Sequence, residues 1–301
     1  MFNMITNLFT VLVVMLIMSL PSHAASLKLR YVTTVYSDNM GKGFRMPEGV
    51  ACRDNNLVVA DTENKRLLRF SFNNKTLEFK SQILLPKSYP LMVETNAKGE
   101  IFVLDGRDRR IMHVSVDGVP KGYLEFKNIP GSGAGTIKSF IIDGQDNFYI
   151  LDLLGGRVLV LNSGLQFEKQ LPFPNDAGFI SDVAVTAKGD ILLLDSVGGK
   201  VYAAASDSKQ FTPFTKSLKE YMNFATHLAV DDRGIVYLSD QNGSGIVMIG
   251  QDGSFLGRQS GMGWEESLLH YPAQICVSSE RDVFVADRNN NRVQIFSVVE
   301  K

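Results

Sequence analysis

The sequence predicts an all-β protein made of six similar units, each containing four strands. The first observation is an aspartate that ends a β-type run and recurs every 43 to 47 residues, as Asp61, Asp105, Asp152, Asp195, Asp240 and Asp287. The second is a basic residue five positions later, as Arg66, Arg110, Arg157, Lys200 and Arg292. Because four short strands per roughly 45 residues is the period of a propeller blade, we predict a six-bladed β-propeller.

Each unit follows the same order of elements along the chain. An apolar first strand such as Met92–Thr95 leads through the turn Lys98-Gly99 to a second strand, Ile101–Leu104, that ends at the aspartate. A third strand starts at the basic position, and a fourth closes the unit, as Leu77–Leu84 does in the first. The sixth unit stops after its third strand. We therefore expect the N-terminal strand Leu27–Tyr36 to supply its outer strand and close the ring.

The first 24 residues differ from the rest of the chain. They contain no charged side chain, and the largely apolar run from Leu8 to Leu20 spans 13 residues. That run is shorter than the roughly 20 residues of a membrane span, and the small residues Ser22 and Ala24 follow it. We predict a secretory signal peptide at 1–24, a single propeller at 25–301 and a periplasmic or secreted protein. An uncleaved N-terminal anchor is the alternative, and only then do we expect contact with a membrane.

The overall charge argues against a nucleic-acid partner. The chain has 31 basic and 32 acidic residues, for a net charge of −1. Nucleic-acid-binding proteins usually show a marked basic excess, because phosphate contacts dominate their affinity. We expect a monomer that does not bind nucleic acid.

The two cysteines, Cys52 and Cys276, are expected to be buried free thiols. Aligned on the repeated aspartates, they fall one position out of register on neighbouring innermost strands. Successive side chains of a strand point to opposite faces, so the register predicts that the two thiols face different ways. A disulfide, which an exported protein permits, is the alternative.

The first and sixth units carry the most regular sequence pattern. It appears in Met46–Ala51 with Ala60–Arg66, and again in Val285–Val293, whereas units two to five depart from it. This pattern resembles the NHL-repeat family, and the resemblance extends over about residues 27–299. It implies a six-bladed propeller and leaves the function open, because such propellers serve many roles.

The repeated aspartates and basic residues are interpreted as structural. A position that recurs around a whole ring is more simply explained by the fold than by one active site. The aspartate can accept hydrogen bonds from loop N–H groups, and the basic residue can pack its stem and reach an acid or carbonyl nearby. Gly245 stands at the basic position of the fifth unit, so that blade is expected to lack the basic partner.

Functional residues are expected where the six units differ. The position before the buried residue of each innermost strand holds Gly49, Met92, Ser139, Asp182, His227 and Gln274. We predict that this column rings the mouth of the central channel. Asp182, His227 and Gln274, from three consecutive blades, could contact a ligand or partner, or could satisfy one another as buried polar groups. An aspartate beside a histidine could also serve as metal ligands or as an acid–base pair.

The loops at the same end contain aromatic and basic side chains. Tyr89, Trp264 and Tyr271 are of the type that protein and peptide recognition uses, although they could instead pack the loops onto the blades. Arg107 and Lys138 could form a basic patch for an anionic partner or a solvated surface. We assign these five residues, together with Asp182, His227 and Gln274, to a partner-binding or ligand-binding face.

We therefore expect an exported binding or scaffold propeller that recognises another protein or a peptide. No cofactor and no metal site are predicted, and the sequence lacks the Gly-x-Ser-x-Gly, Walker and HExxH patterns. The alternative is a metal-dependent lyase or lactone hydrolase with an axial divalent ion near Asp182 and His227. A third interpretation is a purely structural module of a larger assembly.

Overall fold

Six four-stranded antiparallel sheets form the ring in the computed structural model, which describes residues 27–131 and 133–300. The chain starts with β1 (Leu27–Val35). Blade 1 contains β2 (Pro47–Arg53), β3 (Asn56–Asp61), β4 (Arg66–Asn73) and β5 (Thr76–Leu84). Blade 2 contains β6 (Pro90–Thr95), β7 (Ile101–Asp105), β8 (Arg110–Val114) and β9 (Pro120–Tyr123). Blade 3 contains β10 (Ile137–Ile142), β11 (Phe148–Asp152), β12 (Arg157–Leu161) and β13 (Phe167–Pro172).

The second half of the chain repeats this arrangement. Blade 4 contains β14 (Ile180–Val185), β15 (Ile191–Asp195), β16 (Lys200–Ala204) and β17 (Thr212–Pro213). Blade 5 contains β18 (Ala225–Val230), β19 (Val236–Asp240), β20 (Gly245–Ile249) and β21 (Phe255–Gln259). Blade 6 contains β22 (Ile275–Val277), β23 (Asp282–Asp287) and β24 (Arg292–Glu300), with a short 3₁₀ helix at Arg288–Asn290. The predicted six-bladed all-β fold is confirmed.

The N-terminal strand closes the ring, as predicted. The sheet of blade 6 has the order β1-β24-β23-β22, so β1 is its outer strand. β1 pairs with β24 from Leu27 opposite Glu300 to Val35 opposite Val293, with one irregularity between Tyr31 and Thr33. The chain then continues directly into blade 1. The strand therefore ties the first blade to the last and covers an edge that would otherwise be open.

Burial follows the position of each strand within its blade. The second strands β7, β11, β15 and β19 are buried at every residue, because neighbouring blades cover both faces of the sheet. Their sequences are accordingly continuous apolar runs rather than alternating ones. The outer strand β5 instead alternates between exposed and half-buried residues along most of its length.

The core is divided among the junctions between blades. In the described part of the chain, a buried apolar cluster lies at each junction, from Phe140 and Phe102 between blades 2 and 3 to Phe72 and Phe284 between blades 1 and 6. The rings of Phe72 and Phe284 meet edge-to-face with centroids 5.2 Å apart. Each blade is therefore stabilised mainly by its two neighbours, as in other repeat architectures.

The prediction of two free thiols was wrong, because Cys52 and Cys276 form a disulfide with Cα atoms 5.9 Å apart. The register assigned from the sequence was compatible with this bond. In a propeller, one face of each blade packs against the opposite face of the next blade. Side chains on opposite faces of the innermost strands of two neighbouring blades therefore point toward each other. Both cysteines pack against the apolar cluster between blades 6 and 1, whereas Ile275, the neighbour of Cys276, faces blade 5.

The predicted signal peptide at 1–24 lies outside the described residues. Among the residues that are described, no helix is long and apolar enough to cross a membrane.

Candidate functional site

The repeated aspartates organise the loops at one end of the ring. In blade 1, Asp61 accepts hydrogen bonds from the Arg45 backbone N–H at 2.7 Å and from Asn64 Nδ2 at 2.8 Å. Arg66 donates to the same carboxylate through Nε at 2.7 Å and to Asp38 through Nη1 at 2.6 Å. The three buried ionic side chains, Asp38, Asp61 and Arg66, are thus paired with one another, as buried ionic groups require.

The aspartate-to-arginine contact is also present in two other blades. Arg157 Nε donates to Asp152 at 3.0 Å, and Arg292 Nε donates to Asp287 at 2.7 Å. In blade 4, Lys200 Nζ pairs with Asp176 at 3.7 Å rather than with the repeated aspartate. The carboxylate of that aspartate, Asp195, accepts hydrogen bonds from backbone N–H groups.

Residues outside the repeat pattern replace the basic partner in blades 2 and 5. The hydroxyl of Tyr123 donates to Asp105 at 2.6 Å, while the Arg110 guanidinium stacks over the Tyr123 ring at 4.5 Å. Burial alone would raise the pKa of Asp105, but hydrogen bonds from Tyr123 and from loop N–H groups outweigh it and lower that pKa.

Blade 5 does not lack a basic partner, contrary to the expectation from Gly245. Arg258, on the outer strand β21, donates to Asp240 at 2.8 Å and also reaches the Gly243 carbonyl. A Cβ atom at Gly245 would lie 2.6 Å from the Arg258 guanidinium, so the glycine makes room for it. A basic residue 18 positions after the aspartate was the only sequence signal for this substitution.

Asp182 links three neighbouring blades inside the central channel. Its side chain is buried and accepts hydrogen bonds from the Ser139 hydroxyl of blade 3 and, at 2.8 Å, from the Leu228 N–H of blade 5. His227 Nδ1 lies 3.5 Å from the same carboxylate but has no hydrogen-bond partner among the described residues. Asp182 is therefore satisfied by Ser139 and Leu228 rather than by His227.

Gln274 makes an equivalent link on the other side of the channel. Its Oε1 accepts the N–H groups of Val50 at 3.1 Å and Val93 at 3.0 Å, while Nε2 donates to Glu94 at 2.8 Å. The glutamine therefore reaches from blade 6 across blade 1 to blade 2. Gly49 permits this reach, because a Cβ atom there would lie 3.2 Å from Gln274 Oε1. No direct hydrogen bond joins Gln274 to Asp182 or His227 in the part of the chain that the structure describes.

The sequence reasoning missed Glu94, which lines the channel. Burial raises its pKa well above the usual range, the charge of Asp182 raises it further, and Arg53 opposes both. The sequence did distinguish Glu94. When the six units are aligned on the repeated aspartates, it is the only charged residue in a column otherwise made of Ala51, Ile141, Ala184, Ala229 and Cys276.

The side chains around His227 do not provide a divalent-ion site. Within the described ranges, no group of three or more His, Cys, Asp or Glu residues could hold a metal ion. Both carboxylate oxygens of Asp182 are already used by Ser139 and Leu228. Catalytic metal sites need at least three protein ligands in most cases, so these residues do not fit the ion that the alternative function requires.

The loops that carry the repeated aspartates and precede the innermost strands form a surface that we call the Asp-loop face. Trp264 is 77% exposed on it, although its ring meets His270 edge-on with centroids 6.1 Å apart. Tyr271 is 37% exposed and contacts the other side of His270. Leu154 and Val197, each two residues after a repeated aspartate, are 80% and 55% exposed.

The other predicted residues of this face differ in their accessibility. Arg107 is exposed and contacts the Lys87 carbonyl at 3.3 Å. Lys138 is half-buried, and burial lowers its pKa while Asp182 opposes that change. The Tyr89 hydroxyl donates to Glu63 at 2.7 Å, and this bond, together with burial, raises the pKa of Tyr89 to about 12. Arg107 lies on the rim, and Lys138 lies near both Asp182 and Arg109, a residue of the same loop as Arg107.

A groove of about 530 Å³ lies on the Asp-loop face between blades 4 and 5. Val197 and Tyr221 border it, and Lys219 and Arg258 contribute positive charge. The Tyr221 ring stacks on Phe255 with centroids 3.8 Å apart, which fixes one wall. Sequence reasoning had not singled out Val197 or Leu154, because both occupy loop positions that are polar in most other blades.

Comparison with known sequences supports the assignment of the repeats. The sequence model of the NHL repeat matches residues 44–70 and 269–296, which cover the first and last blades. The chain is thus a six-bladed β-propeller with NHL repeats. No curated protein matches it.

Solved structures share the fold over most of the chain. A protein of unknown function from Bacteroides thetaiotaomicron has a TM-score of 0.65 at 15% identity, covering 91% of this chain and 76% of the other. A gluconolactonase from Xanthomonas campestris has a TM-score of 0.64 at 14% identity, covering 91% and 90%. A streptogramin B lyase has a TM-score of 0.60 at 10% identity, covering 91% and 98%. At these identities the likeness extends to the fold alone.

Proposed function

We propose that this protein is an exported binding propeller that recognises a segment of another protein, or a peptide, through the Asp-loop face. The observation that carries the proposal is the exposure of large apolar side chains on this face, with Leu154 at 80%, Trp264 at 77% and Met262 at 66%. These side chains come from blades 3 and 6 of the same face, and exposed aromatic and aliphatic side chains are typical of protein recognition sites.

The groove between blades 4 and 5 gives this surface a concave part. Binding energy in protein interfaces concentrates in a few anchors that fill well-formed pockets. A partner side chain in the groove would contact Val197 and Tyr221, while the charges of Lys219 and Arg258 are balanced by Glu220 and by Asp240, which pairs with Arg258. The partner that fits best is therefore an extended segment with apolar side chains.

The structural roles of the channel residues narrow the proposed face. Asp182 and Gln274 are buried and use their polar atoms to link blades, so their removal would act first on the fold. We therefore propose Trp264, Tyr271 and Arg107, together with Leu154 and Val197, as the residues that meet the partner. Lys138, Tyr89 and His227 would contact the partner only at the entrance of the channel.

A capture experiment with matched variants tests the proposal. The mature protein is immobilised as wild type, Trp264→Ala, Leu154→Ser and Val116→Ser, and partners from the exported fraction are cross-linked and quantified. Val116 is also exposed, at 46%, but lies at the opposite end of the ring. Loss of a hot-spot aromatic typically costs 2 kcal/mol or more, about 30-fold in affinity. We expect such a loss for Trp264→Ala, a smaller loss for Leu154→Ser and none for Val116→Ser.

The partner recovered in that experiment is then synthesised as a peptide and titrated against the same four proteins. Equal affinities for wild type and Trp264→Ala would refute the proposed face.

The alternative function is that of a metal-dependent lyase or lactone hydrolase. The approach of His227 to within 3.5 Å of Asp182 favours it, although the surrounding donors do not complete a site. Elemental analysis of purified wild type and Asp182→Asn decides between the two. A stoichiometric divalent metal that disappears in Asp182→Asn would support the enzyme, whereas equal trace amounts in both proteins would support the binding function.

A further inference from the structure

A cavity of about 250 Å³ occupies the central channel, and the binding function proposed for the Asp-loop face makes no use of it. The innermost strands of all six blades contribute to its walls. Asp182 and Gln274, which link the blades, lie at its inner end, and Asp143 and Thr186 lie at its outer end. The cavity therefore opens where the turns after the innermost strands lie, opposite the Asp-loop face.

The walls of this cavity combine polar and apolar surface, and the polar part is slightly the larger. Ile141, Leu228 and Val277 contribute aliphatic side chains, and the Cys52–Cys276 disulfide adds a further apolar surface. For comparison of size, an apolar cavity of about 150 Å³ is large enough to bind benzene. The volume here thus suits a compact ligand that is somewhat larger than a single aromatic ring.

One polar group, the carboxyl of Glu94, projects partway along the cavity. Among the described residues, Gln274 Nε2 is its one hydrogen-bond donor, at 2.8 Å. The second carboxyl oxygen has no partner there. Burial and the charge of Asp182 raise the pKa of Glu94 well above its usual range, so its carboxyl is protonated at a higher pH than that of an exposed glutamate. A protonated carboxyl can donate a hydrogen bond to an oxygen of a ligand.

A second polar group, the guanidinium of Arg53, lies at the outer end. Its Nη2 contacts the carbonyls of Ile142 and Asp143, each at the long distance of 3.4 Å. Nε and Nη1 make no hydrogen bond within the described ranges. A guanidinium has five N–H donors and binds carboxylates through two parallel hydrogen bonds. Arg53 is therefore a cation whose hydrogen-bonding capacity is largely unused.

The order of these groups along the channel defines a ligand. In the alignment of the innermost strands, Arg53 lies two positions beyond the level of Glu94, or about 7 Å along a strand. We propose that the cavity binds a small carboxylate with a compact apolar body, whose carboxylate pairs with Arg53 and whose distal hydroxyl or carbonyl oxygen bonds to Glu94. The aliphatic walls and the disulfide contact the body of the ligand.

Three probes of similar size separate the contributions of these groups. 4-Hydroxybenzoate carries both polar ends, benzoate lacks the hydroxyl, and 4-hydroxybenzyl alcohol lacks the carboxylate. Titration calorimetry with the full mature protein is expected to give saturable one-to-one binding of 4-hydroxybenzoate. Binding of the alcohol should be weaker by tenfold or more, about the value of one charge-assisted pair. Benzoate should fall between the two.

Variants test whether the probe binds in the cavity. Arg53→Met should weaken 4-hydroxybenzoate binding roughly tenfold and abolish the difference in affinity between 4-hydroxybenzoate and 4-hydroxybenzyl alcohol. Arg69→Met is the matched control, because Arg69 contacts the Val116 carbonyl on the outer part of the ring. Ala229→Leu fills part of the cavity and should abolish binding without removing a charge.

The proposal fails if 4-hydroxybenzoate does not bind the wild-type protein at millimolar concentration. It also fails if the wild type binds the alcohol as tightly as the acid, a comparison that needs no variant to fold. Binding that survives in Ala229→Leu, or that falls equally in Arg53→Met and Arg69→Met, would place the probe elsewhere and overturn the assignment.

Discussion

Removal of the Cys52–Cys276 disulfide is expected to destabilise the protein without changing its fold. The two cysteines are 224 residues apart in sequence, so the bond closes almost the whole ring. For a loop of this length, the chain-entropy relation gives about 5 kcal/mol of stabilisation, and measured disulfides commonly deliver 2 to 4 kcal/mol. We therefore expect the free energy of unfolding to fall by about 3 to 5 kcal/mol.

The loss should appear in denaturant unfolding followed by far-UV circular dichroism, which reports the β-sheets of the whole ring; the single tryptophan, Trp264, is 77% exposed in the folded protein and so reports little of its unfolding. The wild type is compared with and without a reducing agent, and the double variant Cys52→Ser/Cys276→Ser serves as the control that reduction cannot affect. Reduction should lower the denaturant midpoint of the wild type to that of the double variant. It should not change the midpoint of the double variant. Near the melting temperature, a protein of this size shifts by roughly 2 °C per kcal/mol, so a shift of about 6 to 10 °C is expected.

Two outcomes would refute this reasoning. Two reactive thiols in the folded, non-reduced protein would show that the bond does not form. An identical midpoint before and after reduction would show that the covalent link adds nothing to the stability of the ring.

Three further predictions concern contacts that the structure adds to the repeat pattern. Arg258→Met should lower the free energy of unfolding by about 1.5 to 3 kcal/mol in urea titrations, since it removes a charged donor from the buried Asp240. Tyr123→Phe should cost a similar amount at pH 7 and progressively less on acidification: the lowered pKa of Asp105 stabilises the fold above the unfolded value of about 3.8, and that effect is lost as the pH falls through the folded-state pKa, which lies below 3.8. Gly49→Ala should cost about 1 to 3 kcal/mol, because its Cβ would lie 2.9 Å from a neighbouring methyl group. A loss below about 0.5 kcal/mol at pH 7 for any of the three would contradict the assigned contact.

The fold was predictable because every blade repeats the same local pattern. The aspartate at the end of each second strand and the spacing of the runs defined the blades, and the missing fourth strand of the last blade identified the role of β1. Contacts within a blade join residues close in sequence, so they leave a pattern that can be read directly. The disulfide joins the two ends of the ring, and predicting it required the packing of opposite faces between blades as well as the register of each strand.

The candidate site was predictable only in part, for the same reason. Trp264 and Tyr271 lie on the exposed face to which their loops assigned them. Asp182 and Gln274 lie in the channel but link blades across it, and these partners are more than 40 residues away in sequence. Glu94 and Arg258 were missed because each acts on a residue of another strand that no local spacing connects to it.

A residue that departs from the repeat pattern indicates function only when no other residue fills its space or makes the missing contact. Gly245 departs from the basic position, but Arg258 fills the space and restores the contact with Asp240. Gly49 departs from its column, but the side chain of Gln274 passes through the space that the glycine leaves. Glu94 is a charged residue in an otherwise apolar column, and among the described residues its carboxyl receives a single hydrogen bond, from Gln274. By this criterion, Glu94 and His227, whose buried Nδ1 has no hydrogen-bond partner among the described residues, have a stronger claim to a ligand than Asp182, since both oxygens of Asp182 already have partners.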